Sequence, residues 1–364
     1  MLKLVFLVLV FFHGLLHLTG FVKAFHLASV QQVTSTISKP AGLLWLLTAL
    51  LFLLTVVLLI IKNEYNWLTG LVAVFMSQVF VVLYWKDAKF GSIANLVILL
   101  PLLANYGQWR FNQSYKKERA ALLASVRPSV KRTIDMGNWR GLPPVVQRWL
   151  ERSGVSDRAI PAHIYLEQKG EMKTSPSGKW IPFAAEQYSI LEQPGFIWKT
   201  TINPSSFISL SGRDRLVNGE GDMKINLYGL YPVAHAAGLE ISQGSLLRWL
   251  AEMNWYPVAA LESYVKWEEL GERSAKATIR YGNTQASGQF YFTNEGDLAG
   301  FEAERYYIEG REKPRLEKWV VKTVPGAYKY FDGIRIPYQS TVTWQLKAGD
   351  YEWLKLEIVS IDYK

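Results

Sequence analysis

Apolar and polar positions divide the 364-residue chain into two unlike parts. Residues 1–107 carry four long apolar runs, and beyond them the pattern becomes short, alternating and punctuated by turns. The clearest run, Gly42–Ile61, has twenty residues without a charge and stops at Lys62. A helix rises about 1.5 Å per residue, so about 20 apolar residues cross a hydrocarbon core about 30 Å thick. The other runs are Leu4–Val22, Trp67–Trp85 and a weaker Phe90–Tyr106, interrupted by Asn95, Pro101 and Asn105. Trp67, Tyr84 and Trp85 stand where interfacial aromatics sit. The short turn Lys62–Asn66 makes the second and third runs antiparallel neighbours. Leu4–Val22 begins like a signal peptide, but it is long, Lys23-Ala24-Phe25-His26 is a poor cleavage site, and more runs follow. A retained helix is expected, and with it a multi-pass α block of four transmembrane helices over residues 1–107.

Residues 108–127 read as a basic juxtamembrane helix or linker, with Lys116, Lys117 and Arg119 placed to meet anionic headgroups or to fix topology. Arg127-Pro128 ends it, because proline disfavours the helical region for the residue before it. Residues 128–364 then read as a soluble β-rich domain. A short helix is expected over Pro144–Ser153, closed by Gly154. Strands follow at His163–Lys173 and Lys179–Leu191, as a hairpin across Ser175-Pro176-Ser177-Gly178. Further strands are expected at Phe196–Ile202, Phe207–Val217, Met223–Leu227, Val265–Leu270, Ala275–Tyr281, Ala286–Thr293, Leu298–Ile308, Glu317–Pro325, Thr341–Lys347 and Tyr351–Tyr363. One internal helix, Ser242–Met253, places Leu246, Leu247, Leu250 and Met253 on one side. Strands joined by tight turns pair antiparallel, and about a dozen of them are too many for a flat sheet. An α+β domain with a large curved antiparallel sheet, an open or half-barrel around that helix, buries both sets of apolar faces.

Charge refines the picture. The net charge of +9 and pI near 9.4 are compatible with nucleic acid, but in a chain with apolar spans basic loops facing lipid are the commoner cause, and no nucleic-acid partner is expected. With four spans, seven Lys and Arg flank the side bearing both ends and four the other, which favours a cytoplasmic C-terminal domain on the bacterial inner membrane. The chain has no cysteine, which excludes disulfides, thiol catalysis and thiolate metal sites.

Polar groups inside the apolar runs are the first candidates for chemistry, since each is costly in hydrocarbon without a partner. His13 and His17 lie four apart and share a helix face. They suit a lining of the bundle interior that hydrogen-bonds across helices, or two ligands of a metal with a third from Gln78 or His26, or a proton relay. Asp87 reads as a loop charge or an N-cap.

His13-Gly14-Leu15-Leu16-His17-Leu18-Thr19-Gly20-Phe21 and Asp87-Ala88-Lys89-Phe90-Gly91-Ser92-Ile93-Ala94-Asn95 resemble the four-helix DoxX-like membrane block. With Leu142–Leu150, Gly178–Tyr188 and Leu247–Glu252, the whole chain resembles an uncharacterised bacterial family that joins such a block to a β-rich domain. The resemblance implies this architecture and no particular chemistry.

In the soluble domain eleven of the fourteen tryptophans follow residue 107, as core or as the lining of an aromatic cavity. Arg248, Trp249, Glu252, Trp255 and Tyr256 form the densest polar and aromatic set. Arg248 and Glu252 can pair on the helix surface, or Glu252 can point inward to a strand cation such as Arg305. Glu186, Tyr188, Asp214, Glu302 and Glu304 are further inward candidates, and Glu252, Glu186 and Glu304 are the carboxylates that paired acid–base catalysis would draw on. There is no Walker loop, dinucleotide fingerprint, G-x-S-x-G elbow or H-E-x-x-H, His163 and His235 stand alone, and Gly219-Glu220-Gly221-Asp222 is a turn rather than a calcium loop. No metal site and no cofactor is expected. The preferred reading is a membrane-anchored, non-enzymatic binding protein for an apolar or amphiphilic, lipid-like molecule, using Arg248, Trp249, Glu252, Trp255, Tyr188 and Arg305. The alternatives are a hydrolase of lipid-linked or saccharide substrates with paired carboxylates, and redox or proton chemistry at His13 and His17. The oligomeric state stays open.

Overall fold

A computed structural model describes residues 2–31, 33–126, 139–156, 158–310 and 313–364. The expected break at Arg127-Pro128 lies outside the described residues. The chain forms two compact units, one of residues 1–113 with 228–230, the other of 114–227 with 231–364.

The first unit is helical. Its elements are α1 (Leu2–Leu16), α2 (Leu18–Ala24), α3 (Lys39–Ile60), α4 (Asn66–Leu83), α5 (Trp85–Ala88) and the first part of α6 (Gly91–Ala124). Among the described residues, three stretches are long and apolar enough to cross a membrane: Lys3–Ala24, Lys39–Ile60 and Asn66–Leu83. The sequence pattern counts four. The difference is α6, a 34-residue helix that is apolar only in its first half, where Asn95 and Asn105 dilute the run. Ser38 caps α3 by accepting from the Ala41 amide, with Pro40 in the first turn. Small residues let the helices meet: Gly14 abuts Phe52, and Gly70 lies against Leu102. Asp87 caps no helix. Its carboxylate accepts from the amides and hydroxyls of Thr34 and Ser35, and the Thr34 hydroxyl bond above all holds its pKa down at about 2.

In the second unit, the end of α6 packs Tyr115 and Leu122 on Ile190 and Ile197, and α7 (Pro144–Ser153) ends at Gly154 in the left-handed region. Six strands then form a meander: β1 (His163–Met172), β2 (Ile181–Ile190), β3 (Gly195–Ser205), β4 (Ile208–Val217), β5 (Glu220–Leu227) and β6 (Tyr231–Ala237). Helix α8 (Leu239–Ala251) and two short 3₁₀ turns follow. The remaining strands are β7 (Val265–Gly271), β8 (Ser274–Tyr281), β9 (Thr284–Phe292), β10 (Leu298–Tyr307), β11 (Arg315–Thr323), β12 (Tyr328–Phe331), β13 (Ile334–Pro337), β14 (Gln339–Leu346) and β15 (Gly349–Tyr363). The expected α7 matches residue for residue, and the other expected strands and helix agree within a few positions. Strand β6 and the β12–β13 hairpin are additions. Asp332 and Gly333 both take positive φ at the tip of that hairpin, as do Asn218 and Gly219 between β4 and β5. Gly219 alone of its expected turn is therefore a turn residue; Glu220, Gly221 and Asp222 open β5.

Thirteen strands make one antiparallel sheet in the order β6-β5-β4-β3-β2-β1-β15-β14-β11-β10-β9-β8-β7. It consists of two arms joined only where β1 pairs with β15, from Ile164↔Tyr363 to Met172↔Leu354. Helix α8 touches β3, β4, β5 and β6 of one arm and β8, β9 and β10 of the other. A helix reached from both arms needs a curved sheet, and the result is the half-barrel that alternation and strand number require. The core beneath it holds Trp149, Trp249, Tyr256, Phe196, Phe290 and Phe301, all fully buried.

Candidate functional site

The core is not filled everywhere. A cavity of about 530 Å³ lies among β1, β2, β3, β4, β5, α8, β10, β11, β14 and β15. Its walls are apolar, with Met172, Phe183, Trp198, Ile202, Leu210, Ile225, Trp255, Trp319, Val342, Trp344 and Leu354 among them. Such a volume is in the range that encloses a small ligand. Alternation along each strand selects what faces it. On β10, Phe301, Ala303 and Tyr307 are buried while Glu304 is exposed, and Arg305 shares the inward parity.

One polar network is set into this wall. The Arg248 guanidinium donates from Nε to Glu252 Oε1 at 2.6 Å, from Nη1 to Asp214 Oδ2 at 2.8 Å and from Nη2 to Gln187 Oε1 at 2.7 Å. Gln187 Nε2 donates in turn to Glu252 Oε2 at 2.6 Å and to Ser189 Oγ at 3.0 Å. The same guanidinium lies over the Phe196 and Trp198 rings at 4.7 and 5.2 Å. Burial alone would lower the Arg248 pKa; Glu252 and Asp214 outweigh it and hold it above its ordinary value. The four-residue spacing thus makes a pair, as on a helix surface, but in the interior: Glu252 is 7% exposed. Its partner is Arg248, not Arg305.

Arg305 also faces the cavity, over Trp319 at 4.8 Å and Trp344 at 5.8 Å. Arg213, 3% exposed, is held by Glu118 at 3.0 Å and by Asp222.

The remaining candidates lie elsewhere. Trp249 is a core residue packed on Tyr256 and Tyr264, outside the cavity lining. Glu186 and Tyr188 occupy the opposite face of β2 from Gln187, where Glu186 pairs with Lys199 at 3.0 Å and Tyr188 lies beneath Arg119. Glu304 is exposed, and Glu302 joins Lys318 and Tyr291 outside the cavity lining. The acids that converge with Glu252 reduce to Asp214. Gln187, missing from the sequence-based set, could have been found by extending the inward parity of Phe183 along β2.

In the first unit His13 Nε2 meets Asn95 Oδ1 at 2.9 Å and Ser77 Oγ at 3.2 Å, and His17 Nε2 meets Ser77 Oγ at 2.9 Å. Gln78 reaches this group through Asn95 Nδ2 at 3.0 Å. Among the described residues no third His, Asp or Glu joins the pair.

A family model described as "Family of unknown function (DUF6920)" matches residues 140–363, which hold the whole cavity lining. The chain belongs to that family. The DUF6920 match begins after residue 107, so the likeness of the helical unit to DoxX-like proteins remains an expectation. Among curated proteins nothing matches the chain. Among solved structures it is similar to a domain described as an outer membrane lipoprotein-sorting protein domain, from Vibrio parahaemolyticus, at 9% identity and TM-score 0.31, over 56% of this chain and 86% of that one. It is similar also to a DUF1329 family protein from Desulfovibrio piger, at 12% identity and TM-score 0.36, over 64% of this chain and 94% of that one.

Proposed function

We propose that this DUF6920 protein is a membrane-held binding protein whose half-barrel cavity takes an amphiphilic small molecule. The observation that carries the reading is the cavity of about 530 Å³, walled by aliphatic and aromatic side chains and containing a guanidinium–carboxylate network. An apolar body gains about 25 cal/mol for each Å² it removes from water on such walls. A polar end is received by the network and its neighbours. Glu252 and Asp214 both accept from Arg248, so their arrangement suits a fixed polar wall better than a general acid and base.

The membrane half of the proposal rests on the three apolar stretches. The first half of α6 serves as a fourth crossing in this reading, because its polar residues have partners. Asn95 bonds to His13, Ser77 and Gln78, and Asn105 donates to Asn66 Oδ1 at 2.8 Å.

Full-length protein purified in mild detergent and extracted for lipid mass spectrometry tests the binding reading. One amphiphile class is expected to be enriched over the bulk membrane extract and depleted in Ile225→Trp, which fills the cavity. A lipid complement identical to the bulk extract in both proteins would refute it.

A further inference from the structure

One cation of the cavity has no acid of its own. By strand register Arg213 and Lys224 turn to the outer face of the sheet, with Lys199 and Glu118, so the charged side chains that enter the cavity are the cations Arg248 and Arg305 and the acids Asp214 and Glu252. Both acids bind Arg248, and Arg213 is held by Glu118 and Asp222. Arg305 is different in kind. It has no hydrogen bond or ion pair to any described residue, and its contacts are the faces of Trp319 and Trp344. Stacking uses the guanidinium face and leaves its N–H edge free to donate. Room for that edge is made by α8, where Gly244 lies so close that an added Cβ would sit 3.2 Å from Arg305 Nε. Burial presses the Arg305 pKa down to about 10, against the pull of Asp214 and Glu252, yet leaves it charged at neutral pH. A charge kept in an apolar cavity without a partner is costly, and an anion that arrives with a ligand removes the cost.

We infer that Arg305 receives the anionic head, carboxylate or phosphate, of an amphiphile whose apolar body lies along the Met172, Phe183 and Leu354 side of the cavity. This inference rests on the binding reading above and narrows its ligand to anions. Carboxylate and phosphate share the chemistry a guanidinium edge recognises, paired acceptor oxygens bearing negative charge.

The test uses the full chain held in amphipol, with radiolabelled palmitate and its uncharged counterpart hexadecanol in equilibrium dialysis. Wild type is expected to hold palmitate roughly ten-fold more tightly than hexadecanol, the value of one additional charge-assisted contact. Arg305→Gln is expected to erase that ratio by weakening palmitate alone, and Arg305→Lys to keep part of it. Should Arg305→Gln fail to fold, Gly244→Ala serves instead, since it crowds the guanidinium without removing charge and is expected to lower the ratio. Equal binding of the two probes by wild type, or a ratio unmoved by the variants, overturns the anion assignment while the amphiphile reading stands. Binding of neither probe removes both. Inorganic phosphate, if held by wild type more tightly than palmitate, assigns Arg305 to a free anion and overturns the headgroup.

Discussion

At the scale of single residues, the cavity depends on side chains that no isolated position reveals. The spacing of Arg248 and Glu252 makes a contact between them legible from sequence, but the spacing is the same for a solvated pair and an interior one. What decides is Asp214 on β4 and Gln187 on β2, which surround the guanidinium from strands distant in the chain. Removing the cation leaves two carboxylates facing each other in a poorly hydrated wall, and breaking an interior pair this way costs about 3 kcal/mol. Arg248→Ala is expected to lose about that much stability in chemical denaturation, and Glu252→Gln less, because its amide oxygen still accepts from Arg248 Nε and only the bond from Gln187 Nε2 is lost. Equal, small losses from both would place the network in solvent. On β2 the error of one position between Tyr188 and Gln187 exchanges an outward ring for an inward amide, since strand parity is two. Sequence pattern fixes that parity only where apolar residues mark it, and here Ala184, Ala185 and Ser189 mark it weakly.

At the scale of elements, α7 was legible to the residue because proline and glycine punctuate it, whereas its tertiary anchor was not. Asp297, in the turn between β9 and β10, accepts from Arg335 at 2.8 Å and 3.1 Å and from Arg152 of α7 at 3.4 Å. Burial alone would raise the Asp297 pKa; the hydrogen bonds and charges of Arg335 and Arg152 outweigh it and hold it below the ordinary carboxylate value. A carboxyl depressed on folding contributes stability that is complete above its unfolded pKa, about 3.9, and is lost as pH falls through its folded value. Melting temperatures of wild type and Asp297→Asn are therefore expected to differ near pH 7 and to converge as the pH drops below about 4. A difference that stayed constant with pH would show that the arginines contribute nothing through charge. The β12–β13 hairpin was missed for a plain reason: its strands are four residues each, too short for alternation to register, although Asp332-Gly333 is a strong turn signal.

At the scale of the molecule, the division into an apolar helical unit and a β-rich unit was plain from hydropathy alone, because an uncharged run of bilayer length matches the thickness of hydrocarbon and far exceeds what a buried strand requires. The number of crossings was not, since α6 carries both an apolar half and a polar half. The chain has no cysteine, so single-cysteine labelling is free of background. With four crossings, Glu64→Cys and Ser175→Cys are expected to react with an impermeant maleimide from the same side of sealed vesicles. Labelling from opposite sides would leave α6 uncrossed. The curvature of the sheet followed from strand number, but its strand order did not, because local patterning carries no record of which distant strand closes the arms.

That closure has a consequence in time. Ile164 and Tyr363 are roughly 200 residues apart yet face each other in one ladder, so the middle of the sheet forms from the most separated segments of the domain. Until β15 docks, β1 and β14 each offer a bare edge, the kind of surface on which chains stick to one another. The approach is also tight: a Cβ on Gly170 would collide with the Lys355 carbonyl. Gly170→Ala is accordingly expected to slow refolding and to raise the yield of aggregates during it, seen by light scattering after dilution from urea, far more than a matched change at the periphery such as Gly271→Ala. Equal aggregation from the two would mean that the arms do not wait for their seam.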